Sequence, residues 1–233
     1  MQLFYEPNFD SSSKFISINS EESRHISKVL RKNIGEEIAI TNGSGLLANG
    51  VIKSNHPKKC EVEVVSFQEK NTADNYLHIA IAPTKANDRF EWFLEKSTEI
   101  GIQEITPILC DHSERRVIKQ ERYEKVLQAA MKQSLNTFLP KLNKLTLFSD
   151  FINYETKHTK FIAHCEDEPK ENLSKVINDN NLIMIGPEGD FSQEEIQLAL
   201  TKDFKAVSLS GSRLRTETAG IVACHTVNLI QSL

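Results

Sequence analysis

The sequence predicts an α/β protein in two unequal parts: a small β-rich part, then a larger one built on a mostly parallel sheet. Three observations carry this. Up to about residue 66, short runs of β-branched residues alternate with turn signals. The stretch Gln68-Glu69-Lys70-Asn71-Thr72-Ala73-Asp74-Asn75 is polar and reads as a linker. Beyond it, apolar runs alternate with amphipathic helical stretches, the pattern of a parallel sheet covered on both faces. The expected domains are therefore 1–70 and 74–233.

In the first part Phe15–Ile18, Glu37–Thr41, Gly50–Ile52 and Val62–Val65 read as strands of a small barrel or sandwich, separated by Asn42-Gly43-Ser44-Gly45 and His56-Pro57. One helix, roughly 20–32, interrupts them. On it Arg24, Lys28, Arg31 and Lys32 recur at i, i+4, i+7 and i+8, so they share a face, with Ile26, Val29 and Leu30 opposite. A phosphate-binding face and a plain solvated face both satisfy that spacing. In the second part the strands are Leu77–Ala82, Ile105–Leu109, Phe161–His164, Leu182–Ile185 and Ala206–Leu209. Helical spacing runs from Tyr123 to Phe138. Asp88 with Glu91 opens one helix as a capping box and Gly101 closes it; Ser192 with Glu195 opens another, and a last helix starts near Glu217.

Composition bounds the function. With 39% hydrophobic and 26% charged residues the chain is ordinary for a globular protein. No apolar run approaches the roughly 20 residues of a membrane span, and Met1–Glu6 shows no signal-peptide pattern, so a cytoplasmic location is expected. Cys60, Cys110, Cys165 and Cys224 are far apart, which argues against disulfides and a zinc site; no metal is expected. Cys165, at a strand end, reads by default as a small buried hydrophobe. The net charge of −4 speaks against nucleic acid, but residues 1–70 carry nine basic and nine acidic residues, so the excess acid lies in the remainder.

Ligands of parallel sheets bind beyond the carboxyl ends of the strands, which directs attention to two loops. Ile185-Gly186-Pro187-Glu188-Gly189-Asp190-Phe191-Ser192 is tight and low in bulk, so its backbone can approach a ligand; a sharp strand-to-helix turn explains the same residues. Leu209-Ser210-Gly211-Ser212-Arg213-Leu214-Arg215-Thr216-Glu217-Thr218-Ala219 crowds two arginines beside Gly211. Thr216 or Thr218 as helix cap and Glu217 as dipole partner account for part of it, but not for the arginines, which call for anionic or polarised partners. There is no dinucleotide fingerprint, Walker motif, nucleophile elbow or HExxH.

At these loops the sequence resembles the SPOUT methyltransferases, and among them the bacterial 16S rRNA uracil-N3 methyltransferases. Supporting pieces are His25-Ile26 with Lys28-Val29-Leu30-Arg31, Lys85 through Arg89 leading into Leu94–Gly101, and Gln133-Ser134 followed by Pro140. The resemblance spans nearly the whole chain. It implies a PUA-like β-barrel for RNA, a SPOUT-type α/β domain with a trefoil knot, a homodimer and S-adenosylmethionine as cofactor. It departs from the family pattern at Lys132, Asn136 and Asp190. The expected cofactor residues are Gly186, Pro187, Glu188, Gly189, Leu209, Ser210, Gly211, Leu214 and Thr216. Arg213, Arg215 and Glu217 are the expected catalytic residues, Glu217 either orienting an arginine or accepting a proton. Arg24, Lys28, Arg31 and Lys32 would bind ribosomal RNA or the small subunit. A SPOUT enzyme for another RNA and a non-catalytic RNA-binding module are the alternatives.

Overall fold

The computed structural model describes residues 2–70 and 75–233. The middle of the expected linker, 71–74, lies outside the described residues. The chain divides into two compact units, 1–72 with 128–139, and 73–127 with 140–233.

The first unit holds β1 (Leu3–Tyr5), β2 (Phe15–Ile18), α1 (Ser20–Arg24), β3 (Glu37–Thr41), β4 (Leu46–His56) and β5 (Lys59–Glu69). They form one sheet in the order β1-β3-β4-β5-β2, antiparallel except for the β1–β3 pair. Alternation in β2 turns Ile16 and Ile18 inward, where they join Phe4, Ile26, Ile40, Ile52 and Val62. Residues 128–139 belong to this unit because Thr137 accepts hydrogen bonds from Gly45 N and Thr41 Oγ1, and Leu139 N donates to Gly43.

The helix expected over 20–32 is not continuous. Asn19 caps α1 through Glu21 N and Glu22 N; a π-turn follows over His25–Val29, and Arg31 stands at φ 52°. Widening the turn and reversing the backbone at Arg31 separates Arg31 and Lys32 from the face shared by Arg24 and Lys28. Val29, expected to face inward, is 68% exposed, and Lys32 pairs with Glu36 at 3.0 Å.

The second unit contains β6 (Tyr76–Ile81), α2 (Asn87–Ile100), β7 (Glu104–Leu109), β8 (Lys141–Leu142), β9 (Thr146–Leu147), α4 (Phe148–Phe151), β10 (Thr159–Ala163), β11 (Glu171–Asn172), β12 (Asn180–Ile185), α5 (Gln193–Thr201), β13 (Lys205–Ser208) and α6 (Thr216–Gln231). Between β7 and β8 lies α3 (Gln120–Gln133), which runs on into the first unit's segment. The sheet is parallel, ordered β11-β13-β10-β12-β6-β7-β8 with β9 also on β7. The five apolar runs are its five central strands. Ala80, Leu182, Met184 and Ile162 face α4 and α5 on one side. Ile81, on the other, meets α6 at Gly220, which also abuts Phe93 of α2. Strands this rich in apolar residues follow from covering both faces.

Three expected helix boundaries are corrected. α2 begins at Asn87 after Ala86 without a side-chain cap; Glu91 accepts from the Asn87 side chain and pairs with Arg122 instead of closing a box with Asp88. Gly101 does close it, at φ 115°. α3 ends at Gln133 rather than Phe138, because Leu135 turns left-handed and Asn136 N bonds back to Met131. α6 follows Arg215 with no side-chain cap, neither Thr216 nor Thr218 serving. The Ser192–Glu195 box forms as expected.

Candidate active site

Strand register aligns the loops. Ala163 pairs with Ile185 and with Val207, and Ile185 pairs with Ile81, so β6, β12, β10 and β13 deliver their carboxyl ends to one level. Two cavities open there, of about 290 Å³ and 430 Å³. Both are lined by Ala163, Cys165, Arg213, Leu214 and Ala219, so they adjoin. The smaller adds Gly186, Pro187, Glu188, Arg215 and Thr216; the larger adds Leu209, Ser210 and Gly211.

Hydrogen bonds hold the 186–192 loop from four directions. Thr216 Oγ1 donates to Gly186 O at 3.1 Å. Glu188 Oε1 accepts from Lys85 N at 2.9 Å, tying the loop to that after β6. His112 Nδ1 lies 3.1 Å from the carbonyls of Gly189 and Asp190, so that nitrogen carries the proton. Asp190, at φ 65°, accepts from Cys165 N at 2.7 Å and from Phe191 N at 2.9 Å. Aspartate tolerates the left-handed conformation better than most residues, and here its carboxylate also fastens the loop after β10. At Gly186 a Cβ would come within 3.0 Å of the Phe191 ring, so that glycine is needed by the loop's own packing. At Gly211 a Cβ would meet nothing within 4 Å, which leaves space on the cavity side.

Of the expected residues, Gly189 and Glu217 line neither cavity. Gly189 lies in a shallow groove with His112. Glu217 is buried; its Oε1 is 3.9 Å from Arg89 Nε, and its Oε2 has no hydrogen-bond partner. The pair belongs to a ladder between two helices that run parallel: Gly220 meets Phe93, Cys224 Sγ lies 3.8 Å from Ser97 O, and Asn228 approaches Gly101. Steps of three or four residues on both helices place Glu217 and Arg89 at the shared N-terminal end, where two helix dipoles favour a carboxylate.

Cys165 is exposed at the cavity wall, not buried; burial of its flank and the Asp190 carboxylate raise its thiol above the ordinary range, so it is no thiolate nucleophile. Sequence reasoning also missed Arg115, whose guanidinium donates to Thr84 O at 2.9 Å and Lys85 O at 2.6 Å, and the 164–170 loop. The same rule that singled out the loops after β12 and β13 applies to those after β7 and β10. In the first unit Arg24, Lys28 and Arg31 are exposed. Lys132 forms an ion pair with buried Glu22.

The chain belongs to the RNA methyltransferase family: residues 71–228 match the model of the RNA methyltransferase domain. Residues 18–65 match that of the RNA methyltransferase PUA domain, so the first unit is PUA-like. The protein is thus a methyltransferase of the α/β class with an RNA-oriented companion domain. Among individual relatives, the Ribosomal RNA small subunit methyltransferase E of Rickettsia conorii is 26% identical, over 99% of this chain and 96% of its own. The structure of a probable rRNA-methyltransferase from Porphyromonas gingivalis aligns with a TM-score of 0.90 at 38% identity, covering 100% of this chain and 99% of that one. Ribosomal RNA small subunit methyltransferase E from Neisseria gonorrhoeae, solved bound to S-adenosyl methionine, gives a TM-score of 0.86 at 25% identity, covering 96% and 95%.

Proposed function

We propose that this protein transfers a methyl group from S-adenosylmethionine to N3 of a specific uridine in 16S ribosomal RNA. The observation that carries the reading is the pair of adjoining cavities at the carboxyl ends of four parallel strands, on a chain matched almost end to end by small-subunit rRNA methyltransferases. The residues fit the cofactor. Ile185, Pro187, Leu214 and Ala219 offer an apolar slot for a flat base, Gly211 leaves room for backbone approach, and polar groups stand at both ends.

The cofactor supplies an electrophilic methyl on a sulfonium. Uridine N3 carries a proton at neutral pH, so transfer breaks the N3–H bond as the N3–methyl bond forms, and negative charge develops over O2, N3 and O4. Arg213 or Arg215, both on the cavity walls, stabilises that charge in the manner of an oxyanion hole. Glu217, which lines neither cavity, acts by holding Arg89 rather than by taking the proton. The target base must leave its stack to reach the site. Arg24, Lys28 and Arg31 bind phosphates, with Lys32 engaged by Glu36. We also assign the family's cytoplasmic location, homodimer and trefoil knot. Among the described residues no helix is long and apolar enough to cross a membrane. For the knot, α6 packs on β6 and α2 although it follows β13 on the far side of β10, and Thr216 bonds the β12 loop on the way. Generic topology rules alone would exclude such a path.

The test is calorimetric titration with S-adenosylmethionine, then incubation with 16S rRNA and with small subunits, followed by primer extension. An N3-methyl blocks the pairing edge, so extension stops at a single uridine. Binding without a stop on either substrate redirects the enzyme to another RNA. No binding leaves a non-catalytic RNA-binding module.

A further inference from the structure

Of the two glutamates of α1, Glu21 is exposed, whereas the Glu22 side chain is only 8% exposed. Glu22 Oε1 is ion-paired with Lys132, which comes from the 128–139 segment of the same unit. Its Oε2 is buried and has no hydrogen-bond partner. An unsatisfied buried carboxylate oxygen is costly and marks a place where a donor is missing. His25 stands beside it, with Nδ1 at 3.9 Å, too long for a hydrogen bond.

The imidazole follows directly on α1, where the backbone widens into the π-turn and Leu30 N donates to His25 O. Turns of this kind recur at functional sites. The ring stands edge-on to buried Phe4, their centroids 6.1 Å apart, so its plane is set from β1. The side chain stays 38% exposed, flanked along the chain by exposed Arg24 and Lys28. With Nδ1 toward the buried carboxylate, Nε2 is left for a ligand.

Charge decides which ligand. Glu22 and Lys132 cancel one another. An imidazolium added to them leaves one positive charge in excess, which an anion at Nε2 balances. Anion, imidazolium, carboxylate and ammonium then alternate in sign from one contact to the next. A neutral or cationic ligand would leave the excess uncompensated. The backbone of an RNA supplies such anions as phosphates.

We propose that His25 binds a backbone phosphate of the substrate RNA, with Glu22 as the buried positioning residue behind it. On binding, the imidazole takes up a proton from solvent; Nε2–H donates to the phosphate and Nδ1–H closes on Glu22 Oε2. Both nitrogens of an imidazolium are donors, so one added proton supplies both bonds. This rests on the RNA-binding reading above and adds proton uptake to it. The charged groups around the ring are Glu22, Arg24 and Lys28 on its own segment and Lys132 of α3; β1 contributes the uncharged Phe4. Among such groups an imidazole is the ordinary proton acceptor near neutral pH.

The test is calorimetry of the full chain with 16S rRNA at neutral pH, in Hepes and in Tris. The two buffers differ in ionisation heat, so the difference in binding heat counts the protons taken up. The unaltered protein takes up a proton as it binds. His25→Gln and Glu22→Gln each abolish the uptake and weaken binding about tenfold. His25→Arg, with a permanent charge, binds without uptake and keeps more affinity than His25→Gln. Uptake that survives in His25→Gln places the proton elsewhere, and uptake that survives in Glu22→Gln removes Glu22 from the contact. Either result overturns the proposal, as does RNA binding by the unaltered protein with no uptake. If the unaltered protein binds no RNA at all, the RNA-binding reading itself fails and the contact goes with it.

Discussion

Glu217 is a buried carboxylate with one oxygen toward Arg89 and the other without a donor. Such an atom costs a few kcal/mol unless something compensates, and two helix N-termini do part of that. If its work is to position Arg89, Glu217→Gln lowers the single-turnover rate about 10- to 100-fold while the affinity for S-adenosylmethionine stays put. Arg89→Met reproduces the effect, and the double variant is no worse than either single one. A parallel loss of cofactor affinity would mark Glu217 as a structural group only. Gly211 makes the complementary case, since a Cβ there meets only open space. Gly211→Val should leave the unfolding temperature within a degree or two and weaken cofactor binding, read by calorimetry. Unchanged binding would move the ligand away from that loop.

Helices α2 and α6 meet through a ladder in which Gly220 is the tightest rung. A Cβ there would sit 2.6 Å from the ring of Phe93 and 3.0 Å from Ile81. In an exposed helix Gly→Ala gains about 1 kcal/mol, but overpacking against a buried aromatic costs roughly 1–3 kcal/mol. The second effect wins: Gly220→Ala lowers the midpoint of thermal unfolding, and Gly220→Val lowers it further. A raised midpoint would show that the ring has room to move. At the other element of interest, the π-turn after α1 and left-handed Arg31 break the basic helix face, yet Arg24, Lys28 and Arg31 all remain exposed. Arg31→Ala should weaken RNA binding and reduce the salt slope by about one unit. An unchanged slope makes this a solvated surface.

For the molecule as a whole, pH acts through a buried cluster beneath the sheet, away from the cavities. His78 is fully buried, with Nε2 at 2.7 Å from Thr106 Oγ1 and Nδ1 unpartnered. Burial, only partly offset by Glu104, lowers its pKa to about 4. For Glu104 burial works upward, but hydrogen bonds from Lys141 and Asn143, the nearby imidazole and Tyr76 bring it down to about 2. Both groups are depressed in the fold, so the unfolded chain binds the extra proton first. The His78 contribution, on the order of 3 kcal/mol, is present above pH 6.5 and lost as pH falls toward about 4; the loss from Glu104 follows at lower pH. Urea unfolding at pH 7, 5.5 and 4 measures this, and His78→Gln should flatten the decline in that window. A wild-type stability that is level from pH 7 to 4 would contradict the assignment.

The sequence by itself determined the layered α/β plan, the five central strands and the two loops at the cavity, because apolar strand runs and glycine-bearing loops are local signals. It located the helix end at Gly101 and the Ser192–Glu195 box for the same reason: a cap is written within four residues. It did not reveal that Arg31 leaves the helix or that Asp190 reaches Cys165. Nor did it show that Glu217 faces α2 instead of the cavity, or that the segment 128–139 joins the first unit. Except at Arg31, those outcomes depend on contacts across 25 to more than 100 residues, such as Asp190 with Cys165 and Glu217 with Arg89. Only the tertiary structure decides them, because the partner that gives each side chain its direction comes from a remote part of the chain.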